Sequence, residues 1–128
     1  MHDLKPDNSL SRFLYSRKYI NFEKQVVNTS VFTEKHPNGF SVFNTTSLTE
    51  PDIWSIERTY VKRDPLLGRC DLAARYYEDA ELKIIKSEPP PKHYNIMGMP
   101  IGSDMEAARK LSMRQVMVAN SKLALYQE

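Results

Sequence analysis

An α+β fold, a small antiparallel sheet packed against two or three helices with a long C-terminal helix, is what this 128-residue sequence predicts, on three observations. Short β-branched and aromatic runs fill the first third of the chain. A turn sequence, His36-Pro37-Asn38-Gly39, separates two of those runs. Helical spacing with capping residues takes over in the middle and at the end, an order that favours local antiparallel pairing over alternating βαβ units.

Residues 1–8 are polar, contain Pro6 and show no apolar period, so they read as a flexible N-terminal arm ahead of a single α+β domain over 9–128. From Phe13 to Ile20 the alternation predicts a strand, with Phe13, Tyr15, Arg17 and Tyr19 on one side and Leu14, Ser16, Lys18 and Ile20 on the other. Val26, Val27, Val31 and Phe32 lead to Asn38-Gly39, where positive φ is tolerated, and Phe40–Phe43 resumes the extended pattern, which predicts a hairpin.

Thr49 is placed to cap a helix over about 51–62: Pro51 sits in the first turn, Glu50 and Asp52 face the positive end of the dipole, and Ile53, Ile56 and Tyr60 form the apolar stripe. Arg58, Lys62 and Arg63 lie toward its C-terminal end, and Asp64-Pro65 stops it. Gly68-Arg69-Cys70-Asp71 reads as a bend, with Asp71 capping a short helix over Leu72–Tyr77. A strand follows over Leu82–Lys86. Pro89-Pro90-Pro91 then stiffens a crossing to Gly98, with His93 and Asn95 in the loop. Ser103 and Glu106 form a capping box that opens the last helix, which continues through Tyr126.

Charge says little about partners, since 18 Lys plus Arg oppose 16 Asp plus Glu for a net +2. The single cysteine, Cys70, has no internal disulfide partner, and His2, His36 and His93 show no zinc spacing, so neither metal nor cofactor is expected. No glycine-rich phosphate loop, H-E-x-x-H, G-x-S-x-G or paired-carboxylate motif occurs. The start of the chain lacks the pattern of a leader, and no apolar run approaches the roughly 18 residues of a membrane span. The expectation is a complete reading frame for a soluble cytoplasmic protein that does not enter membranes.

Four groups of residues are candidates for function. His93 follows the prolines and is the candidate acid or base, the imidazole being the side chain suited to proton transfer near neutral pH; Glu88 is a candidate proton acceptor, Arg69 a holder of an anionic substrate, and Asn95, beside Tyr94, a residue to orient the ring. The structural alternative is that His93 and Asn95 bond backbone groups of their own loop. Arg69-Cys70-Asp71 could activate the thiol at a helix start, although a lone cysteine is more often a small buried hydrophobe. Arg12, Arg17, Lys18 and Lys24, interleaved with Tyr15, Tyr19 and Phe22, suit a phosphate backbone with stacked bases, but period-two aromatics are ordinarily core. The prolines also make a weak match to a polyproline II ligand.

The fourth group is the last helix. Ala108, Leu111, Val118, Ala119, Leu125 and Tyr126, extended by Val116 and Leu123, mark a face for docking on a sheet, while Met113, Met117 and Ala124 fall on another side. Thioethers left on a second face suit contact with a partner, self-association as a homodimer being the simplest case, unless the arm or a loop covers them. The function that follows is a small noncatalytic binding protein: a regulator, inhibitor or accessory subunit, of a size met among bacterial and phage accessory proteins. The alternatives are an enzyme on a phosphorylated or nucleotide substrate using His93, and a single-stranded nucleic-acid binding module.

Overall fold

The structure, a computed structural model, describes residues 4–32, 39–98 and 104–127, with the side chains of the last helix described from Ser112 onward. Six strands form one antiparallel sheet: β1 (Ser9–Leu14), β4 (Phe40–Asn44), β5 (Gly68–Ala73), β6 (Lys83–Lys86), β7 (His93–Met97) and β8 (Lys122–Leu125). Their order across the sheet is β6-β7-β4-β1-β5-β8. A separate two-stranded ribbon joins β2 (Ile20–Asn21) to β3 (Val26–Val27), and the helices are α1 (Glu50–Ile56), α2 (Ala74–Asp79) and α3 (Asp104–Asn120).

Directly paired residues share a face, so the register assigns each side chain. Leu10, Leu14, Val42, Cys70, Leu72, Tyr94 and Ile96 point to the first face, where they pack with Val31, Phe32, Tyr77 and Met117 in the larger core. Phe13 and Phe43 point to the second face and meet Ile53, Leu66, Trp54 and Tyr126. The sheet therefore separates two cores.

Several elements differ from the sequence reading. The expected strand over Phe13–Ile20 is two segments: β1 ends at Leu14, and Arg17–Tyr19 forms a 3-10 turn before β2. The expected hairpin partners do not pair. β3 folds back on β2 while β4 lies between β1 and β7; residues 36–38 of the expected turn lie outside the described residues. Arg69-Cys70-Asp71 is not a bend but the middle of β5, which pairs with β1 over six positions, and α2 begins after Ala73 with no side-chain cap. His93 and Asn95 lie on β7 rather than in a loop, since β6 and β7 pair antiparallel and the prolines turn the chain back between them. Thr49 caps α1 as expected, accepting from the Asp52 N–H at 3.3 Å.

The last helix is shorter than expected. It ends at Asn120, and Leu123, Ala124 and Leu125 belong to the edge strand β8, paired with β5. Met117 is 1% exposed in the larger core, Met113 packs against the same cluster, and Val116 is 55% exposed. The methionine side thus faces inward and the valine outward. Ser103 lies outside the described residues, as do the side chains of Glu106, Ala108 and Leu111. Near the N-terminus Leu4 packs on the core, and the Pro6 and Asn8 carbonyls accept from Arg75 and Ala74 at the start of α2.

Candidate binding cleft

β1 and β4 are laddered at Leu10↔Asn44 and Ser11↔Phe43, and the pairing stops there, whereas β1 continues against β5 to Leu14. Where the two strands part, a cleft of about 640 Å³ opens. Side chains from both faces line it: Arg12, Tyr19 and Phe40 from the first, Phe13, Phe43 and His93 from the second. Gly39 lets β4 approach β7 closely at this end. Its φ is +74°, and a Cβ there would stand 1.8 Å from the Ile96 carbonyl oxygen.

The outer wall comes from the end of α1. Glu57–Val61 is a π turn closed by Lys62 at φ 54°, and it brings Tyr60, Val61 and Arg63 to the cleft. Glu57 fixes that turn. It is fully buried, and its carboxylate accepts from the Tyr15 hydroxyl (2.8 Å), the Arg63 N–H (3.0 Å) and Arg58 Nε (2.5 Å). Burial, together with the bond to Glu57, raises the Tyr15 pKa. The Arg63 guanidinium lies 4.9 Å from the Tyr15 ring centre, so a cation and an aromatic plane stand together on this wall.

Arg12 is the unusual member. Its guanidinium lies over the rings of Phe40 (4.5 Å) and Tyr19 (5.1 Å) and donates to the Val31 carbonyl. Burial lowers its pKa, an effect that Tyr19 opposes. Among the described residues it has no carboxylate partner, and no Asp or Glu lines the cleft. Buried arginines are ordinarily paired with acids, as Arg69 is.

His93 lies on β7 opposite Phe43, its ring 5.1 Å from the phenylalanine ring, with Nδ1 2.8 Å from the Ser87 carbonyl. A carbonyl can only accept, so Nδ1 carries the proton of this bond. The ring is therefore oriented by Ser87 and not by Asn95. Glu88 instead accepts from the Lys92 N–H (2.9 Å) and pairs with Lys86 (3.4 Å). Tyr94 is buried on the opposite face from His93.

The assembly expected around His93 does not form. Three strand spacings separate it from Arg69, roughly 14 Å. Arg69 is itself occupied: it bonds both Glu50 oxygens (2.9 and 2.6 Å) and Asp71 (3.1 Å) and stacks over Trp54 at 4.7 Å. Burial would lower its pKa, but the Glu50 bond and the Asp71 charge more than reverse that. Cys70 points to the other face, where burial pushes its thiol up to about 12 and leaves it unreactive. Asp71 accepts from buried Ser11 at 2.5 Å and caps no helix.

Of the residues read as a nucleic-acid surface, Arg12, Tyr15 and Tyr19 line the cleft. Arg17 lies outside it, stacked on Phe22 at 4.4 Å, because the 3-10 turn breaks the alternation. Tyr60, Arg63 and Phe43 were not among the expected site residues. Tyr60 and Arg63 carry a helical signal, apolar stripe and C-terminal cation, and nothing local marks the π turn that redirects them. No group of His, Cys, Asp or Glu among the described residues could hold a metal ion, and none of the described helices is long and apolar enough to cross a membrane.

No protein-family model, curated protein or solved structure matches this chain.

Proposed function

We propose that this protein is a small noncatalytic binding protein whose cleft takes a compact anionic ligand with a planar ring, of the mononucleotide class. The observation that carries the reading is Arg12, a partly buried cation whose partners among the described residues are all neutral, in a cleft whose described lining holds a second arginine and no acid. The surrounding rings of Tyr15, Tyr60 and Phe43 offer stacking surface. The volume supports a single small molecule, as binding clefts of roughly 300–1,000 Å³ do. A docking role for α3 has less support, since Met113 and Met117 serve the core.

Calorimetric titration with the four common 5′-mononucleotides and their uncharged nucleosides tests this. At least one nucleotide should bind, more tightly than its nucleoside, and Arg12→Gln should weaken it about tenfold or more, the loss of a charged hydrogen bond. Equal affinity for nucleoside and nucleotide, or no binding of either, would reject the reading. An octathymidylate that binds more tightly than any mononucleotide, with steep salt dependence, would transfer the cleft to single-stranded nucleic acid.

A further inference from the structure

Arg63, the second arginine of the cleft, has its main chain fixed on both sides of its Cα: its N–H donates to Glu57 (3.0 Å) and its carbonyl accepts from Arg58 (2.8 Å). The acids beside it, Glu57 and Asp64, both pair with Arg58, at 2.5 and 3.0 Å. Among the described residues the Arg63 guanidinium meets the Tyr15 ring and no carboxylate. Tyr15 packs with Phe13 and Phe43 on the second face of the sheet, whereas Tyr19 and Phe40, the rings under the Arg12 guanidinium, belong to the core of the first face. All of these side chains line the same cleft. The gap between β1 and β4 therefore joins two arginines, one on each side of the sheet, that no described acid neutralises.

Resting on the proposed reading of the cleft, we infer that its ligand carries two phosphates set apart on one nucleoside, the 3′,5′-bisphosphate class, with one phosphate at Arg12 and the other at Arg63. The guanidinium fork matches phosphate oxygens, and each arginine gains the counter-charge it lacks. Two adjacent phosphates, as in a 5′-diphosphate, make one compact anion, which suits one of the arginines; phosphates separated by a ribose suit both. Tyr60, 51% exposed on the outer wall, is the ring against which the base stacks. Because the second phosphate is tethered to the first, its contact adds affinity without a second cost of association.

The test takes the nucleoside whose 5′-monophosphate binds best and titrates its 5′-monophosphate, 5′-diphosphate and 3′,5′-bisphosphate into the wild type and into Arg63→Gln. The variant keeps the backbone N–H that Glu57 holds, and thermal unfolding checks that it folds. In the wild type the bisphosphate should bind about tenfold or more tighter than the monophosphate, and tighter than the diphosphate. Arg63→Gln should remove most of that advantage, weakening the bisphosphate about tenfold more than the monophosphate. A bisphosphate that binds the wild type no better than the monophosphate overturns the inference and leaves the cleft reading standing. A 5′-diphosphate that gains as much as the bisphosphate also overturns it, since the number of charges and not their placement would then matter. An equal loss for monophosphate and bisphosphate in Arg63→Gln overturns it too, because both arginines would then serve one phosphate. A wild-type protein that binds no nucleotide overturns the inference and the reading together.

Discussion

Glu57 shows how a buried charge at one residue can fix a wall several residues long. Its carboxylate takes donors from the end of β1 (Tyr15), from its own neighbour (Arg58) and from the backbone beyond the π turn (Arg63). Glu57→Gln substitutes an NH₂ for one acceptor and sets it against those donors, so we expect a loss of about 2–3 kcal/mol in urea unfolding; Tyr15→Phe, which removes one donor, should cost about 1–2 kcal/mol. Unchanged midpoints in both variants would show that the turn is held by packing instead. Two glycines give a second contrast. Gly39→Ala brings a Cβ to 1.8 Å from the Ile96 carbonyl oxygen at φ +74°, whereas Gly98→Ala, at φ +96°, meets nothing nearer than 3.9 Å. Gly98→Ala should therefore cost about 1–2 kcal/mol, the conformational penalty alone, while Gly39→Ala should cost several kcal/mol or prevent folding. Equal melting temperatures for the two would refute the close approach of β4 and β7.

At the scale of elements, α3 offers the cleanest test of which side faces inward. Met117→Ala should destabilise by about 2–4 kcal/mol and Val116→Ala by less than about 0.5 kcal/mol, measured by chemical unfolding. The reverse order would turn the helix around. The sequence could not settle this, because Met113 and Met117 are four apart and make as good a stripe as Val116 and Ala119; what selects between them is the hollow left by Val31, Phe32 and Tyr77, which is built from distant segments. Locally encoded elements were legible: Thr49 with Pro51 marked the start of α1, and Leu82–Lys86 marked β6 to within one residue. β5 was not, because Gly68 and Asp71 look like bend and cap. Asp71 lies in a strand since Ser11, across the ladder, and Arg69, two positions back, satisfy it. The same limit applies to the cleft. Arg12, Tyr15, Tyr19 and His93 could be named as chemistry, but strands far apart in the chain bring them together.

Across the whole molecule, the sheet shields one core rich in groups that must stay neutral, and this gives stability a direction in pH. Burial raises the Cys70 thiol from 9.0 to about 12 and raises Tyr77 above its ordinary range. A pKa raised on folding means that the native state keeps its proton where the unfolded chain has lost it. The stabilisation is then fully present below pH 9 and declines as pH rises toward the folded value. For one thiol the decline amounts to about 1.4 kcal/mol between neutrality and pH 10. Tyr15 and Tyr77 add to the fall above about pH 10, where unfolded phenols ionise. Cys70→Ala isolates the thiol, because the tyrosines remain in both proteins. Whatever stability the variant loses at pH 7, its separation from the wild type should narrow by about 1.4 kcal/mol by pH 10 in urea unfolding under reducing conditions. Two curves that stay parallel from pH 7 to 10 would mean that the thiol ionises as readily in the folded protein as in the unfolded chain, and that water reaches the first face of the sheet at Cys70.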